Sequence, residues 1–128
     1  MSKKPRIRSI ISTSACAIPA ILALSAALAG DFPLGSYQAK ELTLVFDSKG
    51  QFQVNIAGKT KVSGTYSVQQ GKVEVTDVKG PWACTKPGEQ KGTYAWTFNG
   101  TALTFLKVAD SCEDRYKTLV PAKWQLQK

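Results

Sequence analysis

The chain has no histidine among its 128 residues, and only three cysteines and one methionine. Lack of an imidazole removes the base that serine and cysteine nucleophiles ordinarily use. It also removes a principal zinc ligand, and three cysteines are too few for an all-thiolate site. Calcium would need oxygen ligands at loop spacing, and the acidic cluster of Asp110, Glu113 and Asp114 lacks the Asp-x-Asp-x-Asp-Gly pattern. Adjacent acids on a helix point apart, so they do not flank a glycosidic bond. Gly88 and Gly92 border a turn rather than a strand-to-helix junction, which is not the setting of a phosphate-cradling loop. No catalytic residue, metal or cofactor is expected, and the chain does not read as an enzyme.

Blocks of like charge and long apolar runs are also scarce. The formal charge is +8, but beyond the N-terminus the lysines are scattered from Lys40 to Lys128 without forming a stripe. Nucleic acid is therefore not an expected partner. The apolar run from Ile18 to Leu28 contains Pro19 and falls short of the ~20 residues a spanning helix needs.

That run reads instead as the core of a leader. "MSKKPRIRS" supplies Lys3, Lys4, Arg6 and Arg8 with no acid, and the run ends in the small residues "ALAG". The pattern predicts a signal peptide over residues 1–29, cleaved after Ala29. Cys16 lies inside it, but "TSAC" lacks the leucine of a lipoprotein signal, so no lipid anchor is expected. Taking the four basic leader residues from the chain's 17 leaves 13 against 9 acidic, a formal +4. Two cysteines remain, Cys84 and Cys112, and an even count after export reads as one disulfide in an oxidising compartment. Periplasmic or secreted localisation follows. The domain left, residues 30–128, has no expected membrane span and is large enough for a single modest core.

From Tyr37 onward apolar residues recur with period two, and helical periodicity is nearly absent. "ELTLVFDSKGQFQVNIAG" is a hairpin, with Leu42, Leu44 and Phe46 on one face, then Phe52, Val54 and Ile56, around Asp47–Gly50. Val62, Gly64, Tyr66 and Val68 alternate next, and Gln69–Gly71 turns the chain into Val73 and Val75. Tyr94, Trp96 and Phe98 share a face before Asn99-Gly100, a strong hairpin signal. The pattern predicts eight strands near 34–39, 41–47, 51–57, 60–68, 72–79, 91–98, 101–109 and 122–127. Short links make this a meander, which most simply closes as an eight-stranded antiparallel up-and-down barrel, because closure removes exposed edges. A sandwich is the competing all-β arrangement, but it needs long crossings. The echo of "GSY" at 35–37 with "GTY" at 64–66 and 92–94 is read as glycine relieving crowding before an inward aromatic.

Links in a meander alternate between the two ends. The five-to-six link carries Cys84 and the seven-to-eight link carries Cys112, so both fall at one end, as a bridge requires. "DSCEDRYKTL" between the last strands predicts a short helix, with Ser111 as N-cap and Asp114 completing a capping box. Arg115 is expected to pair with Asp110 or another rim acid, while Tyr116 and Leu119 face inward as a lid.

Eight meandering strands, "GSY" entering the first and an aromatic in the last resemble a lipocalin or fatty-acid-binding barrel of the calycin type. In lipocalins a Gly-x-Trp near the start packs beneath a late basic residue. Here Gly35-Ser36-Tyr37 stands in that place with Tyr for Trp, the late arginine is missing, and only Lys123 flanks Trp124. "GPWAC", "GTYAWTFNGTALTF" and "DSCEDR", in that order, more closely resemble small exported bacterial lipocalin-like domains, a group without a settled activity.

Two functions are carried forward. The first is a non-catalytic binding protein holding a small apolar or amphipathic ligand in or at the mouth of the barrel. Candidate contacts are Tyr37, Tyr66, Trp82, Tyr94, Trp96 and Trp124. The second is a packed barrel acting as a protein-interaction or inhibitor module through its disulfide-end loops, including Trp82, Lys86 and Arg115. The corresponding partners are a small hydrophobic molecule or an envelope or extracellular protein. A pocket smaller than the ~300 Å³ typical of ligand sites would defeat the first.

Overall fold

Alternating sequence becomes strand in eight places: β1 (Gly35–Ala39), β2 (Leu42–Phe46), β3 (Gln51–Ile56), β4 (Lys59–Gln69), β5 (Lys72–Lys79), β6 (Lys91–Phe98), β7 (Ala102–Asp110) and β8 (Trp124–Leu126). The computed structural model describes residues Phe32–Lys128. The expected leader, with Cys16, lies outside the described residues. Each strand pairs antiparallel with its neighbour in sequence, and β8 closes on β1 through Tyr37↔Leu126 and Gln38↔Gln125. The result is a closed barrel in sequence order, not a sandwich. Among the described residues no helix is long and apolar enough to cross a membrane.

Strand edges fall close to the expected positions except in β8, which is three residues long rather than six. Pro121 has no N–H to give a ladder, so regular pairing starts beyond it. Among the described residues a single helix, α1 (Glu113–Leu119), lies in the β7–β8 link and packs on β7.

The inward face is occupied by side chains. Trp124, Tyr37, Tyr94, Phe46, Leu44, Leu103 and Val73 are all fully buried, which is the filled condition an eight-stranded barrel can reach. Phe32, ahead of β1, stops the end that carries the tight turns. Its ring meets Phe46 edge-on at 4.9 Å and Trp96 at 5.1 Å, with Tyr66 at 5.8 Å.

Two of the echoing glycines have a steric duty. A Cβ on Gly64 would overlap the Thr76 carbonyl across the β4–β5 ladder, beside the register shift between Ser63 and Gly64. A Cβ on Gly92 would strike the Asp110 carboxylate and the Arg115 Nε. The repeated Gly-x-Tyr thus marks places of close approach.

Candidate functional site

The alternation that buries Val73 and Val75 continues to Asp77, which it carries inward on the same face of β5. Asp77 is only 5% exposed. From β7, Asp110 reaches the same region, and α1 delivers Arg115, itself 8% exposed. The guanidinium grips Asp110 as a fork, Nε donating to Oδ2 at 2.8 Å and Nη2 to Oδ1 at 2.6 Å. Nη1 lies 3.1 Å from Asp77 Oδ2. The Glu89 and Gln90 carbonyls accept from Nη2 at 2.9 Å and Nη1 at 3.2 Å. Of the five N–H donors an arginine has, four are in hydrogen bonds, and Nη1 also pairs with the Asp77 carboxylate.

Both carboxylates also hold a cysteine loop. Cys84 N–H donates to Asp77 Oδ2 at 2.8 Å, and Cys112 N–H donates to Asp110 Oδ1 at 2.9 Å. The Cys84–Cys112 pair is bridged with Cα atoms 6.3 Å apart, closing a separation of 28 residues. The sequence expectation of one disulfide at one end of the barrel is met. Tyr94 OH donates to Asp110 Oδ2 from β6. One arginine therefore ties α1, β5, β7 and the Gly80–Gln90 loop together behind the disulfide.

Opposing forces set the acidity of these groups. Burial pushes Asp77 up, against the Cys84 N–H and Arg115, and the upward push wins. Burial also pushes Asp110 up, but the Arg115 fork, the Tyr94 hydroxyl and the Cys112 N–H together hold it below the usual carboxylate range. Burial, then the neighbouring Asp110, raises the Tyr94 phenol far above its ordinary value.

The helix is built differently from expectation. Its N-cap is Cys112, without a side-chain cap, and Ser111 Oγ donates instead to the Gly88 carbonyl at 3.0 Å. Asp110 accepts the Cys112 N–H two residues on, a local turn that leads into the helix without capping it. The buried helix face is Arg115 with Leu119, four residues apart; Tyr116 is only half-buried, with Lys107 Nζ 4.1 Å over its ring. Arg115 is consequently withdrawn from the rim contacts foreseen for it, because the buried acids compete for it more strongly than solvent does.

Beside this network a cleft of about 430 Å³ opens at the disulfide end. Phe52, Val54 and Val62 from β3 and β4 line it, with Asp114, Arg115, Lys117, Thr118 and Leu119 from α1 and Trp82 from the loop after β5. The loop bearing Trp82 is pinned by its N–H donating to the Lys61 carbonyl at 2.9 Å, and the indole is 42% exposed. Asp77 belongs to the lining, and its Oδ1 has no hydrogen-bond partner in the protein. Leaving a buried polar atom unpaired typically costs about 1–3 kcal/mol, more when charged.

No family model, curated protein or solved structure matches this chain. The site therefore stands on its own geometry.

Of the six candidate contacts, the cleft takes Trp82 alone. Tyr37 is fully buried, donating to the Pro33 carbonyl at 2.5 Å, and burial pushes its phenol up to about 12. Tyr66 donates to the Asp47 carbonyl at 2.5 Å, beside the β2–β3 turn, and packs with Trp96 around Phe32. Tyr94 is committed to Asp110, and Trp124 Nε1 donates to the Leu119 carbonyl at 3.1 Å. These five are brought together as core, not as cleft wall. Sequence reading passed over Asp77, although its place two residues after Val75 on an inward strand was a usable signal. It also passed over Phe32, for which an isolated aromatic before the first strand gives no periodic cue.

Proposed function

We propose that the chain is an exported, non-catalytic binding protein that holds a small apolar or amphipathic molecule at the mouth of a lipocalin-like barrel. One observation carries this: the interior is filled, yet a cleft of about 430 Å³ remains at the disulfide end, walled by Phe52, Val54, Val62 and Leu119. Ligand sites usually span about 300–1,000 Å³ and are mostly apolar with a few polar groups. The disulfide supports residence in an oxidising compartment, periplasmic or extracellular.

A second reading is favoured by the exposure of Trp82 on a tethered loop, near exposed Lys86. Aromatic anchors of this kind concentrate binding energy at protein interfaces. In that reading the same rim contacts an envelope or extracellular protein.

Trp96 and Trp124 belong to the core and Trp82 to the cleft, so intrinsic fluorescence reports on the cleft. Titration with short fatty acids, alkyl amines and a hydrophobic dye is expected to give a saturable change in emission. Trp82→Phe should remove most of it. No saturable change across that panel would overturn the small-molecule reading in favour of the rim interaction.

A further inference from the structure

We propose that the cleft selects amphiphiles whose polar end is a hydrogen-bond-donating cation, such as a primary alkyl ammonium, received by Asp77 Oδ1. This rests on the small-molecule reading above and names its ligand class.

The polar groups in the cleft wall are unevenly available. Arg115 lines the cleft, but four of its N–H groups already donate to Asp110, Glu89 and Gln90, and Nη1 also forms an ion pair with Asp77. Its charge is already shared between two carboxylates, so it is a poor receptor for a third carboxylate or a phosphate. Lys117 also lines the cleft, but its ammonium is paired with Glu113 at 2.5 Å, one turn away on α1. An anionic head group thus meets cations that are already engaged.

Acceptors are in the opposite state. Asp77 Oδ1 is buried in the lining without a donor. Asp77 and Asp110 share a single guanidinium, leaving one negative charge over, and Asp114 adds another at the edge of the cleft. Local charge is therefore negative in a chain whose formal balance is +8. A carboxylate in a low-dielectric wall attracts a cation far more strongly than one in water does. An ammonium supplies both missing elements, the charge and the N–H, while Phe52, Val54, Val62 and Leu119 receive its apolar body.

Three probes of equal tail length separate the contributions: octylamine, octyltrimethylammonium and octanoate. The second keeps the cation and loses the N–H; the third reverses the charge. Isothermal titration of the oxidised protein at pH 7 should show octylamine binding at least tenfold more tightly than either of the others. Asp77→Asn should reduce the octylamine affinity at least tenfold, with octanoate unaffected or improved. Because that variant can lose stability, its melt is taken first, and the wild-type series decides the question without it. Equal affinity for octylamine and octyltrimethylammonium would overturn the Asp77 hydrogen bond. Equal or tighter binding of octanoate would overturn the cation preference while leaving the binding function intact. No binding of any probe, with no response to the wider panel, would instead overturn the binding function itself.

Discussion

Replacing Arg115 by methionine keeps the aliphatic stem and deletes the guanidinium. Asp77 and Asp110, both buried, then lose their shared cation, and the Glu89 and Gln90 carbonyls lose a donor each. Breaking one side of a buried ion pair typically costs about 3–5 kcal/mol. We take the upper half of that range because two carboxylates, not one, are stranded. For a domain of this size each kcal/mol moves the midpoint by about 4–8 °C, so the melt should fall by roughly 16–40 °C at pH 7. The sign of the pH response is a stricter check. Without the cation both carboxyls have folded-state pKa values above the unfolded ~3.9. The folded state then binds protons more tightly, and the variant gains stability as pH falls from 7 through those raised values. In the parent, Asp110 is held low and its contribution disappears as pH drops below the ordinary carboxylate range, while Asp77, held high, works the other way. The deficit of Arg115→Met should thus narrow between pH 7 and pH 4.5, measured by urea unfolding followed by circular dichroism. A variant within 1 kcal/mol of the parent at pH 7, or a deficit that widens on acidification, would refute the account of the network.

Other parts of the structure yield narrower expectations. Cys84→Ala with Cys112→Ala should lower stability by roughly 3–4 kcal/mol, as chain entropy predicts for the 28-residue separation, and reductant should no longer shift the urea midpoint. Phe32→Ala should cost about 3–5 kcal/mol, as large aromatic truncations in cores do, and should shift Trp96 emission to the red; an unchanged spectrum would argue against the stopper. Tyr94→Phe removes one donor to an ionised acid and should cost about 1.5–3 kcal/mol. It should also raise the Asp110 pKa, so that less stability is lost on acidification below pH 4 than in the parent.

Strand number, order and closure were legible because alternation and turn residues are local and the sequence states them repeatedly. Leu42-Leu44-Phe46 and Tyr94-Trp96-Phe98 each declare a face without reference to any other segment. The disulfide was legible through parity of links, which is topology rather than contact. What failed was local detail decided by tertiary competition. Ser111 is a sound N-cap by type, but the Gly88 carbonyl claims its hydroxyl, and the helix starts one residue later, at Cys112, without a side-chain cap. The Arg115–Asp110 pair was legible because the two residues lie five apart on either side of Cys112; Asp77, delivered by a different strand, and the burial of the group were not, because charge is normally solvated. The aromatic candidates were chosen for size, and size is also what fills a small barrel, so Tyr37, Tyr94 and Trp124 became core.

Position 77 is where pattern and residue disagree most. Alternation asks for a third apolar side chain after Val73 and Val75, yet an apolar residue would leave the Cys84 N–H without an acceptor and the Arg115 guanidinium without one of its ion-pair partners. A neutral amide oxygen would satisfy both. Aspartate meets the same two donors with Oδ2 and adds a second negative charge against one arginine, with Oδ1 left unpaired. Native sequences tend to break local consistency at functional positions. For the scaffold alone the extra charge is a cost, since burial raises the Asp77 carboxyl despite its two partners. For a cation entering the cleft it is the receptor. The charge and the spare acceptor at position 77 are therefore what separate a site from a structural tie, and Asp77→Asn removes both while leaving one oxygen for the Cys84 N–H.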